Sequence, residues 1–355
     1  MIHWQTYYQQ NKHLPLNTIM EGYKRLTLEF TERSMFITQQ SQNVGSGPGG
    51  QDDLVQLLVI STQKAIFGYG MNISTAVVSV TNLVSNTGVV ATNTTGVGTA
   101  RSSLAAAGYG SDKALFGYGY NGSAAVSMTN LVSNTGVVAT DTTGVGSVRV
   151  GLAAAGYGSD KALFGYGQGA VFIASMTNLV SNTGVVATDT TGVGTARQYL
   201  AAAGYGSDKA LFGYGLDGAS ATLSVTNLVS NTGVVATNTT GVGTARLGLA
   251  AAGYGSDKAL FGYGQGAVFV STTNLVSNTG VVATDTTGVG TARVYLAAAR
   301  YGSDKALFGY GTSDGNNTGA VSMTNLVSNT GVVATDTTGV GTARYLLAAA
   351  GYSLS

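Results

Sequence analysis

A sixfold internal repeat limits what this chain can fold into more than any other feature. The string Lys-Ala-(Ile/Leu)-Phe-Gly-Tyr-Gly begins at Lys64, Lys113, Lys161, Lys209, Lys258 and Lys305, so successive copies start 49, 48, 48, 49 and 47 residues apart. A repeat of this length is one supersecondary unit that cannot bury its apolar face alone and must stack on its neighbours. A second string, Thr-Asn-Leu-Val-Ser-Asn-Thr-Gly-Val-Val-Ala-Thr, begins at Thr81, Thr129, Thr177, Thr226, Thr273 and Thr324. Each copy ends in an arginine: Arg101, Arg149, Arg197, Arg246, Arg293 and Arg344.

Residues 102–149 illustrate one unit. Leu104 to Tyr109 is a short apolar run ended by Gly-Ser-Asp, residues that favour tight turns. Lys113 to Gly119 alternates, with Ala114, Phe116 and Tyr118 on one face, and reads as a strand. Val126 to Val132 reads as a third strand, Ser-Asn-Thr-Gly as a second turn, and Val137 to Thr140 as a fourth strand. Leu-Ala-Ala-Ala is too soon broken by glycine to make a useful helix. With 53 glycines and 2 prolines, the punctuation is that of an all-β protein. Four short strands joined by tight turns in a unit of this size predict a propeller blade.

Blades converge on an axis where space is short, so the Ala- and Gly-rich Leu-Ala-Ala-Ala-Gly-Tyr run is expected innermost. A β-solenoid would also repeat, but with shorter rungs and a cap at each end. After Arg344 the chain carries one extra copy of the first strand, residues 345–355. Leu347 to Tyr352 is therefore expected to pair with Lys64 to Gly70, closing the circle and removing a bare edge. Val55 to Ser61 competes for the same slot.

The pattern from Arg through Leu-Ala-Ala-Ala-Gly-Tyr-Gly-Ser-Asp-Lys-Ala-Leu-Phe-Gly-Tyr-Gly, a variable insert, an Asp-bearing strand and a return to Arg resembles the kelch repeat over residues 51–355. The family's paired glycines are split here, as Gly68 and Gly70 around Tyr69, and its outer-strand Trp is missing, since Trp4 is the only Trp. The resemblance implies a six-bladed, kelch-like β-propeller of four-stranded blades, approximately 51–101, 102–149, 150–197, 198–246, 247–293 and 294–344, with 345–355 as closing strand. Kelch-like propellers serve as enzymes, adaptors and structural proteins, so the fold alone assigns no function. In style, the near-identical copies, low charge and richness in Gly, Thr, Asn and Val resemble bacteriophage tail, fibre and head-decoration proteins.

Residues 1–50 differ in character from the repeats. The first sixteen are polar and aromatic without a period, as in an arm that orders on a partner. Thr18 to Gln40 is expected to be helical: Thr18 and Glu21 have capping-box spacing, and Ile19, Tyr23, Leu26, Phe30 and Ile37 form a stripe interrupted by Arg33. Gly22 weakens that helix by about 1 kcal/mol. Together with Trp4 the stripe is a candidate anchor, which either packs on its own propeller or mediates homo-oligomers or contacts with other virion proteins. Asn43 to Gly50 reads as a flexible linker.

Catalysis is not expected. The two histidines, His3 and His13, lie outside the repeats, so the repeats can assemble neither a Ser-His-Asp triad nor a histidine metal site. There are no cysteines, and no cofactor or metal is expected. Charged residues make up 9% and the net charge is +1, which leaves no nucleic-acid footprint. No apolar run approaches the roughly 18 residues that span a bilayer, so membrane insertion is not expected. Asp112, Asp160, Asp208, Asp257 and Asp304 read as turn formers, each turn supplying one carboxylate. Asp141, Asp189, Asp285 and Asp336 have Asn93 and Asn238 in their place elsewhere, which suits hydrogen bonding better than chemistry.

Two features carry binding expectations. The six arginines either ring one mouth of the channel and hold an anion or pair with acidic and carbonyl groups between blades. Variation concentrates after Gly-Tyr-Gly and in the two residues after each Arg, places that share one side of an up-and-down blade. That side is expected either to meet a host surface glycan or protein, with Tyr120, Phe172, Tyr199 and Tyr295 as contacts, or merely to tolerate change. The function expected is a non-enzymatic virion structural or host-attachment protein. The alternatives are an intracellular, cytoplasmic kelch-like interaction scaffold and, fitting worst, a glycan-processing enzyme.

Overall fold

The computed structural model describes residues 63–353, which are all β with no helix. The expectations for Trp4, for the Thr18–Gln40 helix with Ile19, Tyr23, Leu26, Phe30 and Ile37, for the linker, and for Val55 to Ser61 lie outside the described residues. Each repeat contributes to one three-stranded antiparallel sheet, six in all among the described residues. In the second, Ala105–Tyr109 is the inner strand, Lys113–Gly117 the middle and Thr129–Val132 the outer. Ala106 lies opposite Phe116, and Phe116 opposite Asn130. The first sheet takes its inner strand from the far end of the chain: Ala348–Tyr352 pairs with Lys64–Gly68, Tyr352 opposite Lys64 and Ala348 opposite Gly68. The C-terminal segment thus occupies the position anticipated for it.

The inner strands contact one another in a closed cycle, Ala348–Tyr352 touching both Ala105–Tyr109 and Ala297–Tyr301. Their sequence explains the close approach. Along Ala-Ala-Ala-Gly-Tyr the first, third and fifth side chains are buried between sheets, while the second and fourth positions are partly open toward the centre of the cycle. A Cβ on Gly156 would lie 3.3 Å from the carbonyl oxygen of Gly108, so the neighbouring backbone leaves little room at this level. Middle strands are apolar on both faces because each sheet packs against two others. Leu115 joins a cluster with Phe164 and Leu152 of the next unit, whereas Ala114 and Phe116 join one with Ile66 and Tyr69 of the previous unit. The described core is therefore six equivalent seams rather than one centre, each burying several side chains worth about 1.5–3 kcal/mol apiece.

Two cycles of backbone hydrogen bonds run around the same six units. At one end the N–H groups of Ser103, Gly151, Tyr199, Gly248, Tyr295 and Leu346 each donate to the carbonyl of the preceding member, and Ser103 returns to Leu346, at 2.7–2.9 Å. All six residues are left-handed, with φ between 52 and 62°. For the four that are not glycine this conformation is strained, and the cycle holds it. At the other end Gly110, Gly158, Gly206 and Gly255 donate to the carbonyls of Asp160, Asp208, Asp257 and Asp304, all at 2.7 Å. The circuit is completed by Gly302 to Gln63 at 3.0 Å and Ser353 to Asp112 at 2.6 Å.

The strands are shorter than the sequence suggests, and the fourth is not a strand. Middle strands stop at the first glycine of Gly-Tyr-Gly because the tyrosine turns left-handed: Tyr69, Tyr118, Tyr166, Tyr214, Tyr263 and Tyr310 have φ of 62–65°. The Val137 to Thr140 segment keeps a single bridge, Val132 to Val138. The Asn130 side chain donates to the carbonyl of Ala139 at 3.0 Å, occupying an acceptor that a fuller ladder would use. The same contact recurs at Asn82, Asn178, Asn227, Asn274 and Asn325.

Candidate functional site

Three places collect polar or aromatic groups: the seams between sheets, the variable edge, and a cavity on the axis at the uniform-turn end. The seams hold the six arginines. Each is 0% exposed, and its guanidinium lies over the left-handed tyrosine of its own unit, 4.8–4.9 Å from the ring centroid. That tyrosine meets a phenylalanine of the next unit, as in Tyr118 with Phe164 at 5.0 Å. Its hydroxyl donates to a valine carbonyl, Tyr118 to Val145 at 3.1 Å. Arg101 reaches across to the side-chain oxygen of Asn130 and to the carbonyl of Met128 at 2.9 Å. Arg246 and Arg293 reach Asp285 and Asp336 at 3.2 and 3.3 Å.

This placement corrects the anion-ring expectation. Arg101, Arg149, Arg197, Arg246, Arg293 and Arg344 face no channel, because stacking on tyrosine and bonding to the adjacent unit bury them. They are rivets between neighbouring sheets.

The second acidic position belongs to the same seams. Asp141 accepts from the Thr99 backbone and hydroxyl, at 3.0 and 2.6 Å, and from Asn130 at 2.8 Å. Partial burial pushes its carboxyl up, but the bonds from Thr99 and Asn130 and the charge of Arg101 together bring it below the usual value, and equivalent partners act on Asp189, Asp285 and Asp336. Asn238 makes the corresponding contacts with Thr195 and Asn227 without a charge. Burial raises the phenols of Tyr69, Tyr118, Tyr166, Tyr214 and Tyr263 to about 12, the stacked arginine opposing it only in part.

At the variable edge the residue after each Arg pairs with the start of an insert, Ser102 with Tyr120 and Val150 with Gln168. The two variable places are thus hydrogen-bonded neighbours. Tyr199 and Tyr295 are brought together, edge to face at 5.3 Å, half-buried over an axial depression of about 70 Å³. Burial and its tyrosine neighbours hold the Tyr295 phenol at about 12. Tyr120 and Phe172 lie in separate inserts. The Tyr120 hydroxyl donates to Gly122 in its own loop at 3.0 Å, and Phe172 is 57% exposed beside Val171 at 92%.

The opposite end of the axis holds a cavity of about 250 Å³, lined by the serines and lysines of the uniform turns and by Arg300. The turn aspartates tie the turns to one another: Asp160 Oδ1 pairs with Lys161 at 2.8 Å, and Oδ2 accepts from Asn182 at 3.0 Å. Arg300 stands where the other inner strands carry Gly108, Gly156, Gly204, Gly253 and Gly351. Sequence reasoning passed over it, although its replacement of the repeat's glycine is visible when the copies are superposed. Among the described residues no group of three or more His, Asp or Glu side chains could hold a metal ion, and no helix is long and apolar enough to cross a membrane. The chain matches no protein-family model and no curated protein.

Proposed function

We propose that this chain is a non-enzymatic structural protein of a phage particle: a six-bladed, kelch-like β-propeller attached through residues 1–50 to other virion proteins, whose variable edge meets a host surface glycan or protein. The propeller reading rests on the paired hydrogen-bond cycles and on the C-terminal strand completing the first sheet, which leave no unit at an end. Near-identical seams make a stiff body, and most of the variation among the copies gathers at one edge, with Arg300 and Gln63 the exceptions at the other. That division suits a display scaffold, whose recognition residues vary on loops while the frame stays fixed.

Phe172, Tyr199 and Tyr295 supply the aromatic surface on which a sugar ring would stack. The test is binding of the full chain to arrayed bacterial surface glycans and envelope proteins, alongside Phe172→Ser and Tyr199→Ser/Tyr295→Ser variants. Serine at position 199 or 295 is what Ser103 already presents in the same cycle, so the fold should tolerate it. Binding that the substitutions abolish supports the reading. Binding indifferent to all three removes the aromatic edge from it, and turnover of any glycan overturns the non-enzymatic assignment. Light scattering of the intact chain and of residues 51–355 tests the attachment role, which requires the oligomer or partner binding to be lost with residues 1–50.

A further inference from the structure

We infer that the axial cavity at the uniform-turn end is a binding site for a small anion carrying carboxylate or phosphate groups, with Arg300 as its principal contact. The inference stands apart from the proposed host-facing role of the opposite edge.

The six inner strands place their fourth residue toward the axis, and in five of them it is glycine. Only Ala297–Tyr301 puts a side chain there, and that side chain is a cation. Its Cδ would lie 3.8 Å from a Cβ on Gly253, so the arm runs alongside the adjacent strand as it lines the cavity. One terminal nitrogen donates to the carbonyl of Ser303 in its own turn, while Nε is buried without a partner, as it is in the six seam arginines. Among the described residues no ion pair engages this guanidinium. Burial weakens its hold on the proton, and the charges of Asp304 and Asp257 offset that only in part.

The neighbouring sequence sharpens the asymmetry. Where five units have an aspartate before the middle-strand lysine, the first has Gln63, whose side-chain oxygen accepts from the Ser303 backbone at 3.0 Å. The segment that bonds to Gly302 and Ser303 has therefore exchanged a carboxylate for a neutral amide while keeping Lys64. The uniform-turn end bears six such lysines and Arg300 against five aspartates, a net positive charge, with Asp304 and Asp257 the carboxylates that act on the guanidinium. Ser111, Ser159, Ser207 and Ser256 add hydroxyl donors to the lining. A guanidinium presented in a partly enclosed cavity beside neutral donors matches the planar oxygens of a carboxylate or phosphate. The volume of about 250 Å³ admits a small organic acid or phosphoester and excludes a polymer.

The test compares the full-length chain with Arg300→Gly, which installs the residue that the other five units use and so preserves the fold. Inorganic phosphate and citrate are titrated by calorimetry at fixed ionic strength, with the melting temperature read in parallel. The wild type should bind at least one of the two anions, and Arg300→Gly should weaken that binding at least tenfold, equivalent to about 1.4 kcal/mol. Arg300→Lys, which keeps the charge without the planar fork, should fall between them. Phosphate alone binding identifies a phosphate site, and citrate alone a carboxylate site. Equal binding by wild type and Arg300→Gly, or binding of neither anion by the wild type, overturns the inference and leaves Arg300 as a plug of the axis.

Discussion

If the C-terminal strand closes the structure as the other inner strands fill it, removing the same atoms from it and from an ordinary unit should cost the same. Leu347 and Leu200 are each 5% exposed and each lie against the second glycine of a Gly-Tyr-Gly, where a Cβ on Gly70 or Gly215 would come within 2.8 or 2.9 Å of the leucine Cβ. Leu→Ala at such a site costs about 2–5 kcal/mol, the spread reflecting how far the cavity collapses. Because the surroundings are alike, Leu347→Ala and Leu200→Ala should agree to within roughly 0.5 kcal/mol. For a domain of this size 3 kcal/mol corresponds to a fall of about 5 °C in melting temperature. The assay is chemical and thermal denaturation of the two variants side by side. A companion truncation after Arg344 deletes the five-residue ladder with Lys64–Gly68 and opens both hydrogen-bond cycles, so it should lose the cooperative transition. Adding the peptide of residues 345–353 should restore that transition. A Leu347→Ala variant as stable as wild type while Leu200→Ala loses its full share, or a truncated chain that melts unchanged, would refute the closure argument.

Other perturbations address the seams. Seam tyrosines raised from about 10 to about 12 contribute stability that is complete below pH 10 and disappears as pH rises through 12, on the order of 3 kcal/mol for each of the five with that value. Tyrosinate absorbance should therefore show these phenols ionising only as the fold is lost, and free reversible titration near pH 10 would contradict their burial. Asn238→Asp should stabilise by about 1 kcal/mol at neutral pH, since it sets a carboxylate beside Arg197 as Asp285 stands beside Arg246. That gain belongs to a lowered carboxyl pKa, so it should vanish as pH falls below about 4 in urea-melting experiments. Gly117→Ala should destabilise by about 1–3 kcal/mol, because its Cβ would lie 2.5 Å from Phe164 Cζ, and Phe164→Leu in the same chain should return part of the loss.

Much of the architecture is legible in the sequence. Alternation in Lys-Ala-Leu-Phe-Gly and the Gly, Asn and Ser turns locate the strands, and the small residues of Leu-Ala-Ala-Ala-Gly-Tyr assign the inner one. The unmatched copy at the C-terminus anticipates its pairing with Lys64–Gly68. These are near-neighbour signals: side-chain period, turn chemistry and size act within a few residues and are written directly in the order of the chain.

The sites depend on residues that sequence order keeps apart. Arg101 is buried because Tyr69, 32 positions earlier, turns left-handed beneath it while Asn130 and Asp141 arrive from the following unit. Nothing in the Arg-bearing string alone distinguishes that rivet from an open cation. The failed fourth strand likewise follows from one asparagine reaching nine positions onward to Ala139. Arg300 is a single departure from glycine on paper, and only the convergence of six strands turns it into the one side chain at its level of the axis among the described residues. Local propensity determined the unit; the meeting of units, where backbones come within van der Waals contact and charges leave water, decided what each recurring side chain does.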